Sequence, residues 1–226
     1  MKIDKLHEWN IKPADAISLQ KKLASTIIMK TPKHFSPETV AAADVSFNRF
    51  SSVFFSAAVV MWLSEFETIE VRTSVTESSF PYVPGLLSFR EMPALETVFS
   101  TLETEPDVVL IDGHGYAHPR RFGIACHAGL ILGTPTIGCA KSLIVGEYDA
   151  PGNKRGDHSP IFHNDEKIGV ALRTRPDVKP IFVSVGHLID LDTAIDTVLS
   201  CCHSTRIPEP LRAAHIHANE ARKQHK

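Results

Sequence analysis

Short apolar runs separated by polar turns dominate the pattern of this chain. Residues 40–47, 53–63 and 67–76 follow one another closely, and the third run alternates apolar and polar positions as a half-buried strand does. Three strands in such close succession predict an antiparallel meander. Further apolar runs at 168–172 and 181–185 predict another pair of strands.

Two other runs have the pattern of strands buried on both faces. Val108–Ile111 is continuously apolar and ends abruptly at Asp112, and residues 134–140 predict a second short strand. Between them, residues 121–132 show a helical pattern rich in Gly and Ala, which favours close packing on a sheet. If the two strands are parallel neighbours, Lys141 lies on the same rim of the sheet as Asp112.

Apolar residues at helical spacing predict helices elsewhere in the chain. One opens at Pro13 and ends near Thr31, and its spacing indicates a packing role rather than a functional one. Two more are expected over residues 191–202 and 211–224. Residues 149–159 are rich in Pro, Gly, Asn and Asp and predict a loop.

A further helix is expected just before residue 95, and its start is ambiguous. Ser88 and Glu91 have the spacing of a capping box, which would give Glu91 a purely structural role. Pro93 argues against that start, because proline is comfortable only in the first turn of a helix. We therefore expect the helix to begin nearer Glu91, which leaves this carboxylate free at the helix mouth.

Composition predicts one ordinary domain spanning residues 1–226. The chain is 43% hydrophobic with a net charge of −2, so any nucleic-acid site must be a local basic patch. The four cysteines form no C-x-x-C pair, and we expect a reduced, cytoplasmic compartment. We expect no signal peptide and no membrane span.

Three acidic residues are candidates for chemistry. Asp112 stands at the carboxyl end of a buried strand, where ligands of open α/β sheets bind, although it could instead cap the next helix in an ordinary strand-to-helix loop. Asp44 interrupts a strand of small apolar residues with no nearby Lys or Arg in sequence, so it is a candidate metal ligand. The alternative is an edge strand on which Asp44 faces water. Glu91 is the third.

Carboxylates without cysteine ligands suit hard cations such as Mg²⁺ or Mn²⁺, which typically act on phosphate groups. Lys141, Arg90, Arg120 and Arg121 would supply phosphate contacts. A three-stranded antiparallel meander, a helix and then parallel strands indicate an α/β fold with a ribonuclease-H-like mixed sheet flanked by helices. In that plan the first and fourth strands are neighbours, so Asp44 and Asp112 would face each other.

The chain resembles the endonuclease V family of inosine-directed nucleases over nearly its whole length. Residues 149–166 are a stretch without a match. The matching blocks, in order, are Ala-Asp-Val-Ser-Phe (43–47), Pro-Tyr-Val-Pro-Gly-Leu-Leu-Ser-Phe-Arg-Glu (81–91), Ile-Asp-Gly-His-Gly-Tyr-Ala-His-Pro-Arg-Arg (111–121), Pro-Thr-Ile-Gly-Cys-Ala-Lys (135–141), Gly-His (186–187) and Arg-Ile-Pro-Glu-Pro (206–210).

The resemblance implies a metal site. Asp44 and Asp112 would bind Mg²⁺, for which Mn²⁺ would substitute, and Glu91 would support them. His215 would be a further ligand, although members of the family differ there and a histidine on a polar terminal helix is usually a surface residue.

The resemblance also implies the remaining site residues. His118 and Lys141 would lie at the scissile phosphate, completing a catalytic set with the three acids. A wedge of Pro81, Tyr82, Val83 and Pro84 would fill the gap left by a flipped base. On physical grounds alone, this proline-stiffened loop is more simply a structural latch. The base pocket would be lined by Gly85, Leu87, Gly113, Ile124 and Gly138.

The function implied is that of a metal-dependent endonuclease acting as a monomer in DNA repair. It would recognise deoxyinosine in DNA and hydrolyse the second phosphodiester bond on its 3′ side, leaving a 5′-phosphate. Inosine-containing RNA as the main substrate and a non-catalytic inosine-binding module are the alternatives. The intact acidic residues argue against the second. A zinc hydrolase built on the twelve histidines is disfavoured, because no convincing helix carries a His-x-x-x-His pair with a Glu between.

Overall fold

A mixed β-sheet forms the centre of the molecule. The computed structural model describes residues 1–49 and 51–225, and within them the sheet has eight strands and is flanked by five helices. The strands are β1 (Thr39–Phe47), β2 (Val53–Trp62), β3 (Thr68–Glu77), β4 (Val108–Ile111), β5 (Thr136–Ala140), β6 (His158–His163), β7 (Glu166–Leu172) and β8 (Ile181–His187). The helices are α1 (Pro13–Ala24), α2 (Leu87–Ser100), α3 (Ile124–Leu132), α4 (Leu191–Ser200) and α5 (Glu209–Gln224).

The strand order is β3-β2-β1-β4-β5-β8-β7-β6. Strand β4 lies between β1 and β5 and is parallel to both. Strands β1, β2 and β3 form an antiparallel meander. On the other side, β8 pairs with β5, β7 with β8 and β6 with β7, each antiparallel. The predicted ribonuclease-H-like arrangement is therefore confirmed. The alternative that β1 is an edge strand is wrong, because β2 and β4 cover its two edges.

Alternating residues of the central strands bury against different helices. Val109 and Ile111 pack with α2 and α3, whereas Val108 and Leu110 pack with α4 and α5. On β1 the alanines follow the same alternation, since Ala42 belongs to the α4 and α5 side. Side chains alternate with a period of two residues along a strand, so Asp44 lies on the same side as Ala42. It is therefore directed toward α5, the helix that carries His215.

The start of α2 differs from the prediction. The helix begins at Leu87, so Pro93 lies inside it and Glu91 lies in its second turn rather than at its mouth. Leu86 precedes the helix and cannot cap it, and the Ser88 hydroxyl has no hydrogen-bond partner among the described residues, so the capping box does not form. Burial explains the early start, since Leu86 and Phe89 are 1% and 0% exposed and fix the first turn by packing.

The boundaries of other helices and strands also differ from those predicted from the sequence. Helix α1 ends at Ala24, well before Thr31. Helix α3 begins at Ile124 instead of residue 121, because Arg121 has a φ of 56° that no α-helix accommodates. The unmatched stretch contains strand β6, whose Pro160 weakens the local signal but is tolerated because β6 is an edge strand.

The structure also bears on membrane insertion. Among the described residues, no helix combines the length and the apolar content that crossing a membrane requires.

Asp190 caps helix α4 and yields a test of the fold. Its carboxylate accepts the Thr193 backbone N–H at 2.8 Å and a hydrogen bond from the Thr31 hydroxyl. These bonds lower the pKa of Asp190. We expect Asp190→Ala to reduce the free energy of unfolding by about 1 kcal/mol at neutral pH, measured by urea denaturation.

The loss of unfolding free energy in Asp190→Ala should become smaller as the pH falls. A lowered native pKa means that the Asp190 contribution is complete above the unfolded value of about 3.9 and disappears as pH falls through the native value. The mutant and the wild type should therefore converge in acid. Asp196→Ala is the matched control, since it removes the same charge from an exposed position of the same helix. An equal loss in both variants would contradict the capping role.

Candidate active site

Two carboxylates meet at the carboxyl end of the parallel strands. Strand β1 pairs with β4 in a register that places Ala43 opposite Ile111, so the next residues, Asp44 and Asp112, are neighbours. The side chain of Asp44 is 15% exposed and that of Asp112 is 22% exposed. The sequence prediction that these two residues face each other is confirmed by this register.

Two basic groups contact this pair. Lys141 directly follows β5, the next parallel strand, and its ammonium group binds a carboxylate oxygen of Asp112. His215 on α5 places Nδ1 2.6 Å from Asp44 Oδ2. Four distant parts of the chain therefore converge on one rim of the sheet, and His215 is part of that convergence rather than an isolated surface residue.

Glu91 approaches the pair from helix α2. Burial first, and then the charges of Asp44 and Asp112, raise its pKa to about 8 against the opposing effect of Arg90. Burial and Asp112 also raise the pKa of Asp44, while the hydrogen bond with His215 opposes this rise. Both shifts therefore have burial as their largest cause and the nearby charge of Asp112 as a further cause.

The donor set fits a hard cation. Buried carboxylates that repel one another are stabilised by positive charge, and oxygen ligands with one imidazole and no thiolate suit Mg²⁺ or Mn²⁺. Within residues 1–49 and 51–225, no three Asp, Glu, His or Cys side chains already stand close enough together to enclose a metal ion. Metal ligation by these residues thus stays a prediction that their chemistry supports.

A small cavity lies beside the exposed Tyr82 side chain. Tyr82 is 71% exposed, in keeping with a loop that holds the ring outward. The cavity has a volume of about 160 Å³, below the roughly 300–1,000 Å³ of pockets for drug-sized ligands, so it suits a single ring system. It is lined by Gln20, Tyr82, Val83, Pro84, Gly85, Leu87, Ser88, Gly113, His114, His118, Gly123, Ile124 and Ile144.

Most of the predicted pocket residues line this cavity. Gly85, Leu87, Gly113 and Ile124 do so, whereas Gly138 lies outside the lining set. A Cβ at position 138 would stand 2.5 Å from the Gly115 backbone nitrogen, so this glycine is needed for close packing of strand β5 under the loop after β4.

His118 also forms part of the cavity wall. Its Nδ1 accepts the Arg120 backbone N–H at 3.1 Å, which leaves Nε2–H to donate to the Gly85 carbonyl oxygen at 3.1 Å. Burial, with a contribution from the Arg120 charge, lowers the pKa of His118 to about 4. A role at the scissile phosphate stays a prediction.

The three arginines expected to contact phosphate are already bound to protein oxygens. Arg90 donates to Phe80 O at 2.6 Å, Arg120 donates to Gly85 O at 2.7 Å, and Arg121 forms an ion pair with Glu166 at 2.7 Å. Of the four basic residues proposed from sequence, Lys141 contacts a carboxylate of the candidate site.

Gln20 is the clearest residue that the sequence prediction missed. It is 1% exposed, lines the cavity and is hydrogen-bonded to Gly85 and to two residues of the loop before α3. A signal was present, since Gln20 lies at helical spacing between Ala16 and Leu23 on the apolar face of α1, where an amide needs buried partners.

Comparison with known proteins agrees with this geometry. The family model for endonuclease V matches residues 21–216. An endonuclease V of Dehalococcoides mccartyi is 47% identical over 220 residues, which cover 97% of this chain and 98% of that protein. The chain belongs to the endonuclease V family.

Solved structures of endonuclease V share this fold. That from Bacillus subtilis has a TM-score of 0.93 at 35% identity, covering 100% of this chain and 98% of its own. An endonuclease V from Ciona intestinalis, solved with a 24mer DNA containing an inosine followed by a ribo-adenosine, has a TM-score of 0.85 at 32% identity and covers 94% and 98% of the two chains.

Proposed function

We propose that this endonuclease V hydrolyses DNA at deoxyinosine with the help of a bound divalent cation, Mg²⁺ by preference. Cleavage would fall at the second phosphodiester bond on the 3′ side of the lesion and leave a 5′-phosphate. The observation that carries the proposal is the adjacency of Asp44 and Asp112 at a strand end, within range of the Glu91 carboxyl group and next to a cavity that suits one fused ring system.

The acidic rim would carry out the phosphate chemistry. Asp44 and Asp112, supported by Glu91 and His215, would hold the cation. The cation would orient and activate a water molecule and neutralise charge on the phosphate. Lys141 supplies positive charge on the same rim, where a phosphate oxygen would approach.

His118 would assist near the scissile phosphate in its neutral form. Since its pKa is lowered to about 4, it would be neutral there, and it would contact a phosphate oxygen only by exchanging the Nε2–H bond to Gly85 O. The positive charge at the phosphate would then come from Lys141 and the bound cation.

The cavity and the loop before it would select the base. An enzyme that reads a base inside a duplex must extrude it, at a cost of a few kcal/mol. The exposed Tyr82 ring, held between Pro81 and Pro84, would occupy the vacated stack with little loss of entropy. Backbone groups at Gly85 and Gly113 would then read the edge of hypoxanthine, because glycine leaves the backbone accessible.

Shape and hydrogen bonding would reject the common purines. Guanine differs from hypoxanthine by an additional amino group that a narrow cavity excludes, and adenine presents a different pattern of donors and acceptors. RNA is a second candidate substrate, since the DNA in the Ciona complex carries a ribo-adenosine after the inosine.

A cleavage assay tests the proposal directly. End-labelled strands with one deoxyinosine, one inosine in RNA, or adenine at the same position are incubated with Mg²⁺ and with EDTA. We expect cleavage of the deoxyinosine strand with Mg²⁺ and none with EDTA, since the cation would orient the water molecule and neutralise charge on the phosphate. Binding without cleavage would indicate an inosine-binding module, and equal cleavage of the adenine strand would refute the specificity.

Asp112→Ala separates chemistry from recognition. We expect this change to abolish cleavage while binding to inosine strands stays largely intact, because the carboxylate belongs to the acidic rim and the base contacts belong to the cavity. Gel-shift binding and cleavage are measured on the same strand. Asp165→Ala, a surface charge on the turn between β6 and β7, is the control. Full turnover at saturating Mg²⁺ would remove Asp112 from the site.

Tyr82→Ala should harm recognition more than chemistry. Stacking of a base on an aromatic ring contributes about 1–3 kcal/mol, so affinity for an inosine duplex should fall about 5- to 150-fold. The loss on a single strand should be smaller, because there is less stacking to replace. Tyr148→Ala, an exposed tyrosine packed edge-on to Phe182, is the matched control. Equal losses on both substrates would identify the Tyr82 loop as a structural latch.

A further inference from the structure

Three hydrogen-bond donors, one from α1 and two from the loop after β4, meet at one carbonyl oxygen. Gly85 O accepts from Gln20 Nε2 at 3.1 Å, from His118 Nε2 at 3.1 Å and from Arg120 Nη2 at 2.7 Å. Gly85 directly follows the Pro81–Pro84 wedge. The three donors therefore fix the end of the wedge against the body of the protein.

Gln20 joins the two walls of the cavity. Its amide nitrogen donates to Gly85 O in one wall and, at 2.6 Å, to Phe122 O, which leads into Gly123 and Ile124 in the other wall. Its amide oxygen accepts a hydrogen bond from Arg120 Nε. The side chain is 1% exposed, so loss of these contacts would leave buried polar groups without partners.

The backbone at Gly85 is shaped for this contact. Its φ is +78°, in the region that favours glycine, and a Cβ there would stand 2.6 Å from Arg120 Nη2. The close approach of the Arg120 guanidinium to this carbonyl therefore requires glycine, and the contact is a built feature of the cavity wall.

We propose that Gln20 is a positioning residue that sets the width of the base cavity and thereby the discrimination between hypoxanthine and guanine. The inference rests on the proposed function, since it assigns a specificity role at the same cavity. Gln20 acts through Gly85 and Phe122, because an amide that bonds to both walls holds them at a fixed separation. A wider cavity would bind hypoxanthine less tightly and would also accommodate the additional amino group of guanine.

Gln20→Met tests the proposal, since methionine keeps the length of the side chain and removes the amide. We expect affinity for a deoxyinosine single strand to fall about 5- to 50-fold. The rate at saturating substrate should change little, because the acidic rim lies on other elements. The ratio of the affinity for hypoxanthine to the affinity for guanine at the same position should decrease. Gln224→Met, the same change at an exposed position on α5, is the control.

Gln20→Glu separates the amide donor from the amide acceptor. It keeps an oxygen for Arg120 but places a second acceptor opposite Gly85 O and Phe122 O. We expect losses of affinity and discrimination similar to those of Gln20→Met. If Gln20→Glu binds like the wild type while Gln20→Met does not, the bond to Arg120 is what matters, and the proposed bridge between the walls is wrong.

Hydrogen exchange gives a readout that does not require substrate. The Leu86 N–H donates to Val83 O at 2.9 Å, so exchange over residues 81–86 reports on the end of the wedge. We expect faster exchange there in Gln20→Met and unchanged exchange in strand β4. If Gln20→Met does not fold, Arg120→Met removes another of the three donors to Gly85 and should give the same pattern.

The outcomes distinguish the two proposals. If the wild type cleaves at deoxyinosine and the Gln20 variants match it in affinity, base preference and exchange, the positioning role is refuted and the proposed function stands. If the wild type neither binds nor cleaves inosine strands, the proposed function is refuted. The specificity role of Gln20 is then refuted as well, because it depends on that function.

Discussion

The parallel pairing of β1 with β4 is the constraint on which the candidate site depends. Its register brings Asp44 and Asp112 together at a buried strand end, where two like charges are unfavourable without compensation. The surrounding elements supply that compensation, since Lys141 follows the next parallel strand and His215 projects from the helix that packs under β1. Glu91 is a third acid, and burial and the charges of Asp44 and Asp112 raise its pKa to about 8, so a bound cation would favour its ionised form. The proposed cation-dependent hydrolysis is consistent with this electrostatic arrangement.

The cavity depends on a different kind of interaction. It is enclosed by loops rather than by strand pairing, and loops keep a shape only when their backbone polar groups have fixed partners. The Gly85 carbonyl, with donors from α1 and from the segment after β4, provides such a fixed point. The fold thus separates two tasks. In the proposed function, the sheet would place charge for chemistry, and the buried hydrogen-bond network would set the space for a base.

The arginines show how the two tasks share basic residues. Arg90, Arg120 and Arg121 lie near the site in sequence, yet each is held by a protein oxygen. Their guanidinium groups order the Phe80 region, the wedge and the β6–β7 hairpin, since Arg121 binds Glu166 at the start of β7. Basic residues close to an active site can therefore shape it without touching the substrate. Lys141 is also bound to a protein oxygen, but that oxygen belongs to Asp112 of the candidate site.

The sequence by itself determined the strands of the meander, the buried strand ending in Asp112 and the pairing that joins Asp112 to Asp44, because periodicity and chain order encode them. The start of α2, the partners of the arginines and the role of Gln20 were decided only by tertiary structure. The Ser88–Glu91 spacing is a local signal that did not determine where α2 begins. The burial of Leu86 and Phe89 determined it instead. The bond from Gln20 to Gly85 spans 65 positions, and no local pattern specifies which distant carbonyl a buried amide will meet.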